Sequence, residues 1–407
     1  MFFLSREITD DLDLNAVCRG DGYLFVRDGV GVAGRGVTVR VPEDAATTVL
    51  ASLRPAPGCA ELQDGHGPVL IGLVPFLPSR PASFVLPRFI VTKDGDGRVF
   101  GTLTAEGPSA PTPEDWDDAR QEALTAAAPG AGATSFTVSP RMPVEDYLAA
   151  VVAARDAVRS GLLDKAVIAR DITVRATDPV DLHAVLLRLR ASFGRSYRYC
   201  VDGFIGASPE LLVQVDGRTV RSHPLAGTAP RTGDPETDRR LAEELVASTK
   251  NQIEHRLVVD MVHDTLLPHC SYLDWEPEPS IVTVANVQHL GTAVEGALSE
   301  PRKTVMELVR LLCPTPALGG APSEPAIRFV TEHERMDRGN YGGAVGWIDA
   351  GGNGTFAVAI RCAEFSPDRR TARLFAGGGI VADSDPLSEL AETQAKFQAM
   401  LSAIVRP

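Results

Sequence analysis

The chain has 407 residues, 44% of them hydrophobic and 23% charged, a globular composition long enough to bury a substantial core. Its net charge of −13, without any continuous run of Lys or Arg, argues against a nucleic-acid partner, and no stretch of about 18 apolar residues offers a membrane-crossing helix. Residues 1–4 are not followed by the pattern of a secretory leader, and Cys18, Cys59, Cys200, Cys270, Cys313 and Cys362 are scattered without a C-x-x-C pair. A cytoplasmic protein with reduced thiols and no zinc framework is expected. In so acidic a chain an anionic substrate would require fixed cations or a metal at its site.

The first 139 residues are rich in Gly and Pro and break into short apolar runs, of which 69–74 and 84–86 read as strands. Residues 105–137 carry Pro, Ala, Gly and acidic clusters, the composition of a surface connector. Periodicity then sharpens. Tyr147, Val151 and Ala154 recur at helical spacing within 144–163, and 165–174 is a β-rich run. A helix is expected from Pro179 to Phe193, strands over 197–205 and 210–215, and one long helix over 236–267. Strands at 281–287 and 292–298 and a helix at 305–312 follow. The end reads as an antiparallel meander, 341–348, 356–365 and 373–381, whose first turn, Asp349-Ala350-Gly351-Gly352-Asn353-Gly354, is a strong hairpin signal. A last helix runs from Pro386 to about 404. Elements mixed in this order predict an α+β protein with a large antiparallel sheet.

The last helix places Glu389, Glu392 and Lys396 at i, i+3 and i+7, on one face, shortly after Ala376-Gly377-Gly378-Gly379-Ile380, whose glycines allow close approach to the backbone. Alone this is an ordinary solvated face, as is the patch of Lys250, Glu254 and His255 on the long helix. Two separated carboxylates can nevertheless share Mg²⁺, which takes oxygen ligands and completes its shell with water and substrate anions. Lys165 opens an apolar strand. Snorkelling at a strand end explains it blandly; a general base is the functional alternative, and a lysine in that role needs burial or a neighbouring cation to release its proton. Glu210 sits where a turn enters a strand, and His289 lies in a β-rich run. Arg361 falls in mid-strand in Val358-Ala359-Ile360-Arg361-Cys362, a costly position that asks for an anionic partner.

In order along the chain, Asp164-Lys165-Ala166-Val167, the 206–212 turn, Pro224-Leu225-Ala226-Gly227-Thr228, Glu254-His255 and Gln288-His289-Leu290 resemble motifs of the chorismate-utilising enzymes. So do Pro314-Thr315-Pro316-Ala317, Arg338-Gly339-Asn340-Tyr341, the 343–349 strand, residues 376–381 and Glu392-Thr393; the resemblance covers about 143–401. It implies one large unit, 1–407, of two antiparallel strand layers flanked by helices, with a divergent N-terminal part at 1–140 and the chorismate-binding catalytic region at 143–405. It also implies Mg²⁺ bound by Glu254 and Glu392, with Glu389 in support, the ion holding the ring carboxylate of chorismate. Arg361, Tyr341 and Lys396, with backbone at Gly377 and Gly379, would hold the enolpyruvyl carboxylate. Gly227, Thr228, His289 and Ala317 would line the same pocket.

Lys165 resembles the lysine of the water-adding members, where aminating members carry glutamine, so no glutaminase subunit is expected and the protein would act as a monomer. The resemblance implies that Lys165 deprotonates water for attack at C2 while Glu210 protonates the C4 hydroxyl leaving from the opposite face. That is an isochorismate synthase, of siderophore or menaquinone type. A salicylate synthase, which goes on to eliminate pyruvate, is one rival, disfavoured by Ala317 where salicylate-forming members carry a hydroxyl residue. A non-catalytic chorismate binder is another, disfavoured by the matched base, acid and metal carboxylates. Cys313 departs from a histidine usual before Pro-Thr-Pro, and Gly378 from an alanine.

Overall fold

The computed structural model describes residues 1–60, 62, 66–125, 135–285 and 287–405. Two large sheets pack face to face, one of thirteen strands and one of nine, with a three-stranded sheet beside them. In the larger sheet the strand Lys165–Ala176 lies between Phe136–Pro140 and Thr371–Ile380, and the order continues through Cys362–Phe365, Phe204–Ser208, Tyr197–Val201 and Tyr23–Arg27. In the second, Leu211–Asp216, Gly354–Val358, Ala344–Asp349 and Val69–Val74 are successive neighbours. Residues before 140 therefore supply strands to both sheets. The pairing is antiparallel apart from the short contact of Phe2–Ile8 with Arg54–Pro55. The protein is α+β with large antiparallel layers, and no helix among the described residues is long and apolar enough to cross a membrane.

Both faces of the thirteen-stranded sheet are covered. Tyr197, Tyr199 and Val201 point into the core between the sheets, while Cys200 points to the opposite face, beneath the helices Leu182–Phe193 and Pro386–Val405. Double coverage explains why a run such as Val69–Val74 is buried at every position instead of alternating.

Several elements differ from expectation for identifiable reasons. Within 105–137 lies a helix, Pro113–Leu124, opened by a Thr112/Asp115 capping box and anchored by Trp116, whose indole N–H donates to the Gly101 carbonyl at 2.9 Å. The Pro and acidic residues that suggested a connector are helix-start residues here; 126–134 fall outside the described residues. The helix expected from Pro179 begins at Leu182, capped by Asp181. The run 197–205 is a hairpin turning at Asp202 and Gly203, with φ of 49° and 81°. The long helix is two, Pro235–Ala247 and Thr249–Leu266, because Ser248 leaves helical geometry and its hydroxyl caps the second through the Asn251 N–H. The strand expected over 281–287 is Ser280–Thr283, and Val287–Gly291 pairs back against it. The helix Ser323–His333 was not anticipated.

The largest departure positions the site. The run 356–365 is not one strand: Gly354–Val358 belongs to the nine-stranded sheet and Cys362–Phe365 to the thirteen-stranded one. The chain crosses between layers at 359–361, with Arg361 at φ 53°, a left-handed conformation. A second crossing lies beside it and runs the opposite way, from Phe204–Ser208 to Leu211–Asp216. The two are tied by the Ala207 N–H on the Arg361 carbonyl and the Val358 N–H on the Glu210 carbonyl, each at 3.1 Å. Arg361 is thus at a break between strands and not in mid-strand. Its backbone leaves the ladder there, which frees the side chain to turn into the gap.

Candidate active site

The gap between the crossings opens into a cleft of about 660 Å³, lined by Glu210, Gly227, Thr228, Glu254, His289, Ala317, Tyr341, Arg361, Gly377, Gly379, Glu392 and Lys396 among others. Lys165 and Glu389 stand directly behind this wall. The cleft is therefore assembled from the thirteen-stranded sheet, the small sheet, the crossing segments at 209–210 and 360–361, and the helices Thr249–Leu266 and Pro386–Val405.

On one side is an unanswered cation. Arg361 is buried and forms no ion pair with a carboxylate among the described residues; one guanidinium nitrogen, Nη2, lies 3.2 Å from His289 Nε2 and the other, Nη1, has no partner. Burial lowers its pKa against the pull of Tyr341, Glu392 and Glu210. His289 is held neutral: burial, then Arg361 and Lys396, push its pKa down to about 3. Its Nδ1 lies 3.1 Å from the Gly227 carbonyl, so the N–H donates there and Nε2 is left to accept from Arg361. Tyr341 stacks on Phe375 at 5.2 Å and 7°, and a Cβ added at Gly377 would come within 3.0 Å of its hydroxyl. Lys396 Nζ donates to the Gly377 carbonyl at 2.7 Å and pairs with Glu392 at 2.5 Å.

On the other side three carboxylates each meet a lysine. Lys165, fully buried, donates to Glu254 Oε1 at 2.8 Å; Lys396 meets Glu392; Lys250 meets Glu389 at 3.5 Å. Burial pushes the Glu254 carboxyl up, but Lys165, Lys396 and Lys250 outweigh it and leave the group below its ordinary value. Glu389 goes the other way, raised by burial and by Glu392. The glycines explain the proximity. A Cβ at Gly379 would lie 2.5 Å from Glu254 Oε1 and 2.7 Å from Lys165 Cε, and one at Gly378 would lie 2.9 Å from Glu389 Oε2. His255 does not share the face of Lys250 and Glu254; its Nε2 turns away to Thr292 Oγ1 at 2.7 Å.

Glu210 stands apart from the lysines. It is enclosed, touched by the Leu225 N–H at 3.4 Å, and burial raises its pKa to about 8 despite that N–H, Lys165 and Arg361. Sequence reasoning missed the support behind the wall. Arg338 donates to the Leu318 carbonyl at 2.7 Å and the Val167 carbonyl at 2.6 Å, and is held by Glu334, itself bonded to the Ala169 N–H at 2.7 Å. The i, i+4 spacing of Glu334 and Arg338 was the available signal.

A family model described as chorismate binding enzyme matches residues 61–405. The isochorismate synthase MenF of Bacillus subtilis is 37% identical over 83% of this chain and 75% of its own length, and the isochorismate synthase EntC of Escherichia coli is 34% identical over 84% and 83%. The solved structure of MenF, the menaquinone-specific isochorismate synthase from Escherichia coli, superposes with a TM-score of 0.83 at 26% identity, covering 98% of this chain and 94% of that one. Fold, cleft and matched length agree: this chain belongs to the family of chorismate binding enzymes.

Proposed function

We propose that the protein is an isochorismate synthase, converting chorismate to isochorismate as a cytoplasmic monomer without a glutaminase subunit. The observation that carries the reading is Arg361. A buried guanidinium with an unpartnered nitrogen and no carboxylate partner is costly until an anion arrives, and a substrate carboxylate facing Arg361, Lys396 and the Tyr341 hydroxyl would supply it. The neutral His289 keeps Arg361 aimed without competing for the anion.

The second carboxylate of chorismate is assigned to Mg²⁺ held by Glu254 and Glu392, with Glu389 behind. The donor set supports this: the acidic groups there are the carboxylates of Glu254, Glu392 and Glu389, each now facing a lysine, and no thiol lines the cleft among the described residues. Among the described residues no three His, Cys, Asp or Glu side chains are grouped so as to hold a metal ion, so water and the substrate carboxylate would have to complete the shell. When bound, the ion would offset the charge of the ring carboxylate. In the free protein these carboxylates are occupied by Lys165 and Lys396. For Lys165 to take a proton from the attacking water, it must be present as the neutral amine, its own proton already released to solvent, and must exchange Glu254 for that water. Glu210, carrying a proton at neutral pH, then gives it to the departing hydroxyl, so one group removes and one supplies a proton with no net change.

Incubation of the pure protein with chorismate and Mg²⁺, followed by chromatography, should yield isochorismate. EDTA should stop conversion and added Mg²⁺ restore it. Absence of any chorismate conversion rejects the enzyme, and full turnover in metal-free buffer rejects the metal alone.

A further inference from the structure

On the face of the thirteen-stranded sheet turned away from the catalytic cleft, a second cleft of about 1070 Å³ lies between the helix Leu14–Cys18, the Asp28-Gly29 turn and the end of the helix Leu182–Phe193. Arg198 is on its floor. Side chains alternate along Tyr197–Val201, so Tyr197 and Tyr199 enter the core between the sheets and Arg198 faces the other way.

Arg198 is 2% exposed and forms no ion pair among the described residues. Its Nη1 donates to Asn15 Oδ1 at 2.9 Å, and its Nε is buried without a partner. Asn15 in turn donates to Asp13 Oδ1 at 2.6 Å, and Asp13 is already paired with Arg190. One carboxylate thus serves two guanidiniums, and reaches Arg198 only through an amide. Burial lowers Arg198 to about 10 even with Asp13 and Asp28 nearby. Lys93 in the same cleft is paired with Asp11 at 2.8 Å, but Arg195 is exposed and makes no hydrogen bond or ion pair with the described residues. Lys93, Arg190, Arg195 and Arg198 therefore face Asp11, Asp13 and Asp28, a local positive excess in a chain of net charge −13.

A buried arginine without a carboxylate is costly, and its planar fork matches an oxyanion. We propose that this cleft binds a small oxyanion, the carboxylate or phosphate group of a metabolite, between Arg198 and Arg195. The proposal is independent of the reaction assigned to the catalytic cleft.

The test uses the full chain, with inorganic phosphate and succinate titrated separately at ionic strength held constant with chloride. Thermal unfolding and hydrogen exchange over residues 11–29 and 195–201 are the readouts. At least one probe should raise Tm saturably and protect those segments, and which one does so separates phosphate from carboxylate. Arg195→Gln should weaken that binding at least about tenfold, the loss of one charge-assisted hydrogen bond, and Arg198→Gln should remove it. Lys396→Gln, in the catalytic cleft, should leave it intact. Absence of a saturable effect with both probes overturns the site, as does an effect that survives Arg195→Gln unchanged or is lost only in Lys396→Gln. If Arg198→Gln does not fold, Arg195→Gln decides.

Discussion

Glu210 sits at the start of a strand that has just left one sheet for the other, enclosed by both, and burial brings its pKa to about 8. A carboxyl with that value is protonated at neutral pH, the state required to donate to a leaving hydroxyl. As pH rises through about 8 the proton is lost, so kcat/KM should fall on the alkaline side. The same group affects stability. Between its ordinary 4.5 and about 8 the folded protein holds a proton that the unfolded chain has released, so stability should decline as pH rises across that window. Glu210→Gln cannot ionise, and its urea-unfolding profile should be flatter there than the wild type's; identical profiles would reject the assignment. Lys165→Ala and Glu210→Ala should each lower kcat by at least about 10²-fold while calorimetry still detects substrate binding. Near-normal turnover by Lys165→Ala would leave that residue a structural partner of Glu254 and reopen the aminating alternative.

Between elements, the glycine strand Thr371–Ile380 sets how near two helices bring their carboxylates. Adjacent glycines face opposite ways: Gly379 fronts Glu254 and Lys165, and Gly378 fronts Glu389. Gly379→Ala should press the Lys165–Glu254 pair apart and lower kcat by about 10²-fold, the usual cost of misplacing catalytic groups by an ångström, with little change in circular dichroism. Gly378→Ala meets only side-chain ends, Glu389 Oε2 at 2.9 Å and Glu392 Oε1 at 3.9 Å, and should be the milder change; equal activity in both variants would remove the argument from close approach. The strands at 69–74, 165–174 and 373–381 were legible as unbroken apolar or β-rich runs, and the helices at 144–163, 305–312 and 386–404 because their signals are uninterrupted. Ser248 and Asp202-Gly203 were missed because a cap or tight turn can interrupt a continuous pattern in one or two residues. The crossing at Arg361 was illegible for a deeper reason. Buried strands of two sheets have the same apolar composition, and no local residue announces a change of partner. For the site, motif order brought the candidate residues to mind, but the pairing of Lys165 with Glu254 and of Lys250 with Glu389 joins elements far apart in sequence and needed the fold.

Across the whole molecule, the cleft wall is stiffened from behind. Arg338 binds the carbonyls of Val167 and Leu318, which lie on adjoining segments of the cleft lining, and Glu334 fixes Arg338 in turn. Ala317 lines the cleft beside Leu318 without a hydroxyl to add to the site. The two candidate outcomes then differ in thermodynamics. Water addition with loss of the C4 hydroxyl exchanges similar positions on one ring, so chorismate and isochorismate should approach a plateau with appreciable amounts of both. Pyruvate elimination makes an aromatic ring and would draw the reaction to completion. A time course from chorismate, repeated from isochorismate, should converge on one ratio of two dienes with little salicylate at neutral pH. Replacing the buffer salt with ammonium should yield no aminated product, since Lys165 stands where an aminating member carries glutamine. Stoichiometric salicylate and pyruvate from the pure protein would show instead that the chain completes the elimination, and that Ala317 is no guide to where the reaction stops.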